Sequence, residues 1–313
     1  MHLCLPMDIQ SITALSEIQF HLKAIGEDTA IYQEINFDSR ADALDFIDFH
    51  IIDRIEGLLQ KEKSDEELNM RNQRALILKR DLEKIDTNLF IQLREKIRTG
   101  FYTPSSLKKM VHEYLGSYFD INQQDKVGYD NLDVFINGLL SDHATPEAIM
   151  EKEPGMVFYQ KTPARTVFQM MNLAELSEND VFFDLGSGLG QVTILVNLLS
   201  GIKTIGIEYE PAYCKYAQAC ASQLNLPNVK FINTEAQKGD YRDGTVFFMY
   251  TPFEGGMLQD MLNILQKESQ TRLIRIFTYG PCSPQVALQS WLTCVNGNAG
   301  DPYGFCEFRS SFN

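Results

Sequence analysis

Val181-Phe182-Phe183-Asp184-Leu185-Gly186-Ser187-Gly188-Leu189-Gly190-Gln191 decides how the C-terminal half of this 313-residue chain is read. An apolar run of strand length ends in an acid, turns through three glycines and leads into an apolar helical stretch, Val192 to Leu199. Glycines at 186, 188 and 190 remove the Cβ where a backbone must bend sharply and approach a ligand. A dinucleotide-binding loop has its third glycine one place later, where this chain carries Gln191. The alternative is a tight strand-to-helix turn that uses glycine for packing alone.

Outward from the loop, Lys203–Glu208 reads as a second strand ending in a carboxylate, 24 residues after Asp184. That separation is one strand–helix–strand unit. A carboxylate at this point can accept from two neighbouring ribose hydroxyls. Pro211 opens a helix, Ala212 to Leu224, which Asn225-Leu226-Pro227-Asn228 breaks. Val229 to Ala236 is a third strand ending in Glu235 and a small residue; a plain surface role is the alternative for Glu235. Thr245–Tyr250 is apolar enough for a buried central strand, Met257–Leu265 has helical spacing, and Leu273–Tyr279 is a fifth strand stopped by Gly280-Pro281. Ser283 is expected to cap a short helix through Trp291, with Pro284 in its first turn. Short strands near Leu292–Val295 and Tyr303–Ser310 close the chain. Five alternating strand–helix units and a terminal hairpin imply an α/β, doubly wound sheet with its ligand at the carboxyl ends of the strands.

The D-x-G-x-G-x-G loop and the acids that follow it resemble class I S-adenosylmethionine-dependent methyltransferases, over residues 155–313. The resemblance implies a Rossmann-like seven-stranded sheet and S-adenosyl-L-methionine as cofactor. Its binding residues would be Asp184, Gly186, Ser187, Gly188, Gly190 and Gln191 at the loop, and Glu208 and Tyr209 at the ribose. Glu235 would accept from the adenine amino group, and the backbone N–H of Ala236 would reach a ring nitrogen. Ahead of the loop, Val157-Phe158-Tyr159-Gln160-Lys161-Thr162-Pro163 precedes a helix of roughly residues 164–176. With the loop, over residues 157–210, this arrangement resembles the non-SET lysine methyltransferases of the disruptor-of-telomeric-silencing type. It implies that Tyr159 and Thr162 help hold the methionine carboxylate; Thr162 acting only as a helix N-cap before Pro163 is the alternative.

Methyl transfer from a sulfonium depends mainly on placing a neutral lone pair in line with the methyl. An amine must first lose its proton, and residues 161–313 hold no histidine, which leaves solvent, a carboxylate or a tyrosine to take it. Tyr250-Thr251-Pro252-Phe253 stands where amino methyltransferases present Asn/Asp-Pro-Pro-aromatic; Pro252 and Phe253 fit that pattern, Tyr250 and Thr251 do not. These four residues are the candidate catalytic set, with the carbonyl near Pro252 accepting from the amine and Phe253 offering its π face. Phe253 as plain core is the alternative. The histone enzymes carry an asparagine-rich stretch here and a basic nucleosome-contacting segment, and this chain has neither. The expected activity is N-methylation, with a protein lysine as leading acceptor. A small-molecule methyltransferase, an NAD-type oxidoreductase and a non-catalytic cofactor-binding interaction protein remain as alternatives.

The composition divides near residue 155. Residues 1–160 carry 17 Lys and Arg against 28 Asp and Glu, and residues 161–313 carry 11 against 14, within a net charge of −14. Amphipathic spacing at 43–59, 69–85, 88–98, 105–118 and 132–140, without a convincing strand, predicts an all-helical domain over 1–154 before a methyltransferase domain over 155–313. The helical half is expected to steer a basic acceptor, to cover the sheet, or to form a homodimer. An acidic balance argues against a nucleic-acid partner. The basic run Arg71, Arg74, Lys79, Arg80 and Lys84 is interleaved with acids as on a solvated helix face. No apolar stretch is long enough to span a membrane. Six cysteines without metal-ligand spacing read as free thiols in a reducing compartment, no metal site is expected, and a cytoplasmic location is expected, with a nuclear or pathogen-delivered protein as the alternative.

Overall fold

The structure, a computed structural model, describes residues 9–60, 65–116, 128–301 and 304–311, with side chains from residue 14. One of the six cysteines, Cys4, the end of the helical segment expected at 105–118, and Tyr303 at the start of the last expected strand lie outside the described residues. The chain forms two compact units, one of residues 1–93 and 110–120, the other of 94–109 and 121–313. The second unit takes in helical segments that precede the methyltransferase-like sequence. α4 (Glu66–Arg98) and α5 (Pro104–Leu115) each run through a unit boundary. Composition changes where the strands begin, whereas compactness follows which helices pack on the sheet.

The first unit also contains α1 (Ile9–Glu27), α2 (Phe37–Phe46), a π-helical segment (Ile47–Ile52) and α3 (Asp53–Leu59). Ile18, Leu22, Ile47, Ile51, Ile55, Ala75 and Leu82 form its core. Arg40 is wholly buried within it. Its Nε meets Asp86 Oδ1 at 2.7 Å, and Nη1 donates to the carbonyls of Ile31 and Gln33 at 2.9 and 2.8 Å. Burial raises the Asp86 carboxyl, against the pull of the Arg40 charge. Of the basic run on α4, Arg71 pairs with Glu67 at 2.6 Å and Lys79 with Asp48 at 2.7 Å.

The second unit is built on one seven-stranded sheet of order β3-β2-β1-β4-β5-β7-β6. Its strands are β1 (Val181–Leu185), β2 (Lys203–Glu208), β3 (Val229–Asn233), β4 (Val246–Met249), β5 (Arg275–Tyr279), β6 (Leu292–Asn296) and β7 (Phe305–Ser310). β1 to β5 run parallel; β7 pairs antiparallel with β5 and with β6. The helices of this unit are α6 (Asn131–Leu140), α7 (Ala164–Leu173), α8 (Gln191–Ser200), α9 (Pro211–Gln223), α10 (Gly255–Ser269) and α11 (Ser283–Ala287). The expected α/β, doubly wound, Rossmann-like sheet with a terminal hairpin is the one present.

Apolar central strands read as continuous runs because helices cover both faces. Phe182, Phe183, Phe247 and Phe248 are all at most 1 % exposed. Phe183 stacks on Phe247 with centroids 5.6 Å apart, Tyr241 meets Phe183 edge-on at 5.3 Å, and its hydroxyl donates to the Ala236 carbonyl at 2.6 Å. On the other face Phe182 stacks with Phe248 at 6.5 Å. Two local expectations are corrected. α11 begins after Cys282 without a side-chain cap and ends at Ala287, while Ser283 Oγ bonds to Thr278 Oγ1 at 2.7 Å. β3 stops at Asn233, and Ala236–Lys238 forms a 3₁₀ turn instead of prolonging the strand.

Candidate active site

β1 and β4 are parallel neighbours at the sheet centre, and the chain continues from β1 to β2 on one side and from β4 to β5 on the other, so a crevice opens at the carboxyl ends of the strands. The glycine loop fills its floor. Gly186 and Ser187 both donate their N–H groups to the Ile207 carbonyl at 2.9 Å, closing the turn onto β2. Gly188 donates to Glu208 Oε2 at 2.6 Å, and Glu208 Oε1 accepts from the Glu210 N–H at 2.8 Å. Gly186 and Gly188 have φ of +77° and +52°. A Cβ on Gly186 would lie 2.5 Å from Pro252 Cβ, and one on Gly188 only 2.1 Å from the Tyr159 ring. Absence of a side chain is therefore required twice over, by backbone conformation and by packing.

Above the loop lies a cavity of about 480 Å³. A strap of residues 148–162 forms one wall and is pinned at both ends. Glu210 Oε2 accepts from the Ile149 and Met150 N–H groups at 2.9 and 2.8 Å, and Oε1 caps α9 through Ala212 at 2.9 Å. At the far end Val157 donates to the Pro252 carbonyl at 3.2 Å, Glu254 donates to the Gly155 carbonyl at 2.9 Å, and Met156 bridges Phe253. Opposite the strap, Thr251 sits at φ +40°, costly for a β-branched residue. Its hydroxyl donates to the Tyr279 carbonyl and accepts from the Cys282 N–H, both at 3.2 Å, which holds that conformation.

Burial dominates the electrostatics. It pushes the Asp184 carboxyl up to about 7, opposed by the Thr193 hydroxyl at 2.8 Å and reinforced by the charge of Glu208. Burial also raises Glu208, against the N–H groups of Glu210 and Gly188. Burial would raise Glu210 too, yet the N–H groups of Met150, Ala212 and Ile149 together hold it below its ordinary value. The Tyr159 hydroxyl is raised strongly by burial, against a bond from Leu189, so it stays protonated and is not a base at neutral pH. Tyr279 is raised by burial as well.

Residues 155–245 match the family model described as the histone methylation protein DOT1. That segment is less than a third of the chain and holds the end of the strap, the glycine loop and the strands β1 to β3. With the strand order and the antiparallel β7, it agrees with the fold and cofactor loop of a class I S-adenosylmethionine-dependent methyltransferase. Solved structures similar to this protein include an RNA methyltransferase from Salinibacter ruber with S-adenosyl-L-homocysteine, 24% identical over 48% of this chain and 92% of that one, TM-score 0.39. A putative methyltransferase from Escherichia coli is 16% identical over 51% and 90%, TM-score 0.41. Precorrin-6y C5,15-methyltransferase from Geobacter metallireducens is 16% identical over 50% and 93%, TM-score 0.38. No curated protein matches the chain.

The cleft suits S-adenosylmethionine. Ser187 and Gln191 line the cavity, and their buried Oγ and Oε1 atoms have no hydrogen-bond partner within the described protein, which leaves polar capacity beside the cleft for a ligand. S-Adenosylmethionine supplies an electrophilic methyl on a sulfonium, and its net positive charge is matched by Asp184, Glu208 and Glu210 on the walls. Of the residues expected at the cofactor, Tyr159, Thr162, Asp184, Gly186, Ser187, Gln191, Glu208, Tyr209 and Ala236 line the cavity. Gly188 and Gly190 do not. Tyr159 covers the first, and the second packs toward Ala217 and Phe231, where a Cβ would stand 2.6 Å from each. Glu235 is also off the wall: the chain turns after β3, and its carboxylate pairs with Lys238 at 2.5 Å.

Tyr250, Thr251, Pro252 and Phe253 all line the cleft, with three qualifications. Phe253 is 5 % exposed and packs in the sheet core, so its ring is structural as well as mural. The Pro252 carbonyl already accepts from Val157, and the Tyr250 ring lies 4.9 Å from that of Tyr279. Thr162 does not cap α7: Pro163 is the N-cap residue, and Asp133 Oδ1 on α6 accepts from Ala164 N–H at 2.7 Å. Thr162 offers its carbonyl to Gln191 Nε2 at 3.3 Å. Sequence reasoning missed Asp133, Glu210, Tyr213, Lys152 and Phe158. Only Glu210, an acid directly before a helix-opening proline, carried a local signal. The described cysteines are free, no metal-binding cluster of described residues exists, and no described helix is long and apolar enough to cross a membrane.

Proposed function

We propose that this protein transfers the methyl of S-adenosylmethionine to the side-chain amine of a protein lysine. The observation that carries this reading is the match to the DOT1 histone methylation model across the strap end and the cofactor loop. Supporting it, the strap and the Tyr250–Phe253 turn meet through backbone bonds over Gly186, so the acceptor end of the cleft is bounded by Pro252 and aromatic side chains. Acidic walls favour a cationic acceptor segment, and a net charge of −14 favours its approach. The residues here orient and dehydrate. Tyr250, Pro252 and Phe253 shape the channel for an alkyl chain, the oriented amine supplies most of the acceleration, and its proton leaves to solvent. Tyr159 stays neutral and closes the loop side.

The test is incubation with labelled S-adenosylmethionine and separate pools of basic proteins, RNA and small metabolites, followed by mass spectrometry of the labelled product. Label on lysine side chains of protein is the expected result. Exclusive labelling of RNA or of a metabolite would overturn the acceptor, and calorimetric binding of NAD in place of S-adenosylmethionine would overturn the donor.

A further inference from the structure

The strap carries its own lysine to the cleft. Between the Glu210 anchor and the Pro252 anchor, Lys152 reaches across to Phe158, with Nζ 2.9 Å from the ring centroid, and both residues line the cavity. Phe158 directly follows Val157, whose N–H binds the Pro252 carbonyl, and Met156 bridges Phe253. The aromatic face is thereby set at the Tyr250–Phe253 end of the cleft. Phe158 is 76 % exposed, so its ring is not held there by core packing; its contact is with an alkylammonium.

We infer that Lys152 is a methylation site of this protein, modified in cis by its own cleft. The inference rests on the reading of that cleft as a lysine-methylating site. A lysine tethered at the acceptor end meets the methyl donor without an encounter step, which is the condition under which positioning accelerates most. The Lys152 amine releases its proton to solvent and its lone pair forms the N–CH3 bond. The S–CH3 bond breaks with its electron pair going to sulfur, and S-adenosyl-L-homocysteine leaves. Phe158 orients the amine before attack and holds the methylated ammonium afterwards, since methylation keeps the positive charge.

The experiment uses the full chain in two arms. In the first, protein purified without the donor is incubated with S-adenosylmethionine alone and followed by intact mass and peptide mapping. The expected result is a gain of one or more methyl groups on Lys152, at a rate per molecule independent of protein concentration, and lost in Lys152→Arg. In the second, lysine carbons are ¹³C-labelled and no donor is present. The Lys152 Cε–H resonance, assigned by its loss in Lys152→Arg, is expected upfield through the ring current of Phe158 and back among the other lysines in Phe158→Leu. A rate that scales with protein concentration would overturn modification in cis. Transfer to a separate protein acceptor with Lys152 unmodified would overturn this inference and leave the lysine reading standing. Transfer to RNA or metabolite alone would overturn both.

Discussion

Replacing Asp184 by Asn should stabilise the unliganded protein at high pH much more than at low pH. Asp184 is 3 % exposed at the end of β1, and its carboxyl is raised from the ordinary 3.8 to about 7. A carboxyl whose pKa is higher in the folded chain than in the unfolded one holds its proton more tightly when folded. Stability is then undiminished below pH ~4, falls as pH rises between about 4 and 7, and levels off above. The full loss is about 4 kcal/mol, with roughly a third of it already incurred at pH 5. Asparagine keeps an oxygen for the Thr193 hydroxyl at this position and carries no charge to desolvate. The gain of Asp184→Asn over wild type should therefore be about 3 kcal/mol larger at pH 8 than at pH 5. Urea unfolding of both proteins at the two pH values, without cofactor, measures it. An equal difference at both would refute the burial argument. The same charge gives S-adenosylmethionine a reason to bind: affinity should weaken as pH falls through 7 in wild type, and vary less in Asp184→Asn.

Three further outcomes follow from named contacts. Gly188→Val forces a branched residue to φ +52° and into the Tyr159 ring; a loss of about 1–3 kcal/mol in chemical denaturation should accompany weakened S-adenosylmethionine binding by calorimetry. Full cofactor affinity in a folded Gly188→Val protein would refute the role given to the loop. Phe253→Ala should reduce stability by about 3–5 kcal/mol, since its ring packs in the sheet core; a loss of turnover at unchanged melting temperature would show the ring serves the channel alone. Arg40→Met strips the buried partner from Asp86 and from three carbonyls, and should cost about 3–5 kcal/mol in the first unit. Wild-type hydrogen-exchange protection of α2 in that variant would contradict this.

The central strands of the second unit were legible because parallel strands buried on both faces are predominantly apolar. Val181–Leu185 and Thr245–Met249 show that run, and the glycines mark where β1 becomes α8. Much of the cavity wall was legible from its place in the fold: Asp184, Ser187, Gln191 and Glu208 stand at strand ends or in the loop, where a doubly wound sheet opens its crevice. The strap was only half legible. Tyr159 and Thr162 drew notice through Thr-Pro, whereas Lys152 and Phe158, in a stretch without periodicity, gave no signal of their meeting.

By itself the sequence determined the elements, their order, the helical character of the N-terminal half and the location of the ligand crevice. Periodicity, glycine conformation and apolar runs are local properties, legible before the chain folds. Tertiary structure decided which polar groups meet. Glu210 faces the strap and Glu235 turns away to Lys238, although both are acids beyond a strand end. Asp133 caps a helix that starts 31 residues later, in place of the adjacent Thr162. Pro252 gives its carbonyl to Val157, and Arg40 reaches Asp86 across 46 residues. A buried donor or acceptor must find a partner, but which one it finds depends on which distant segment arrives beside it.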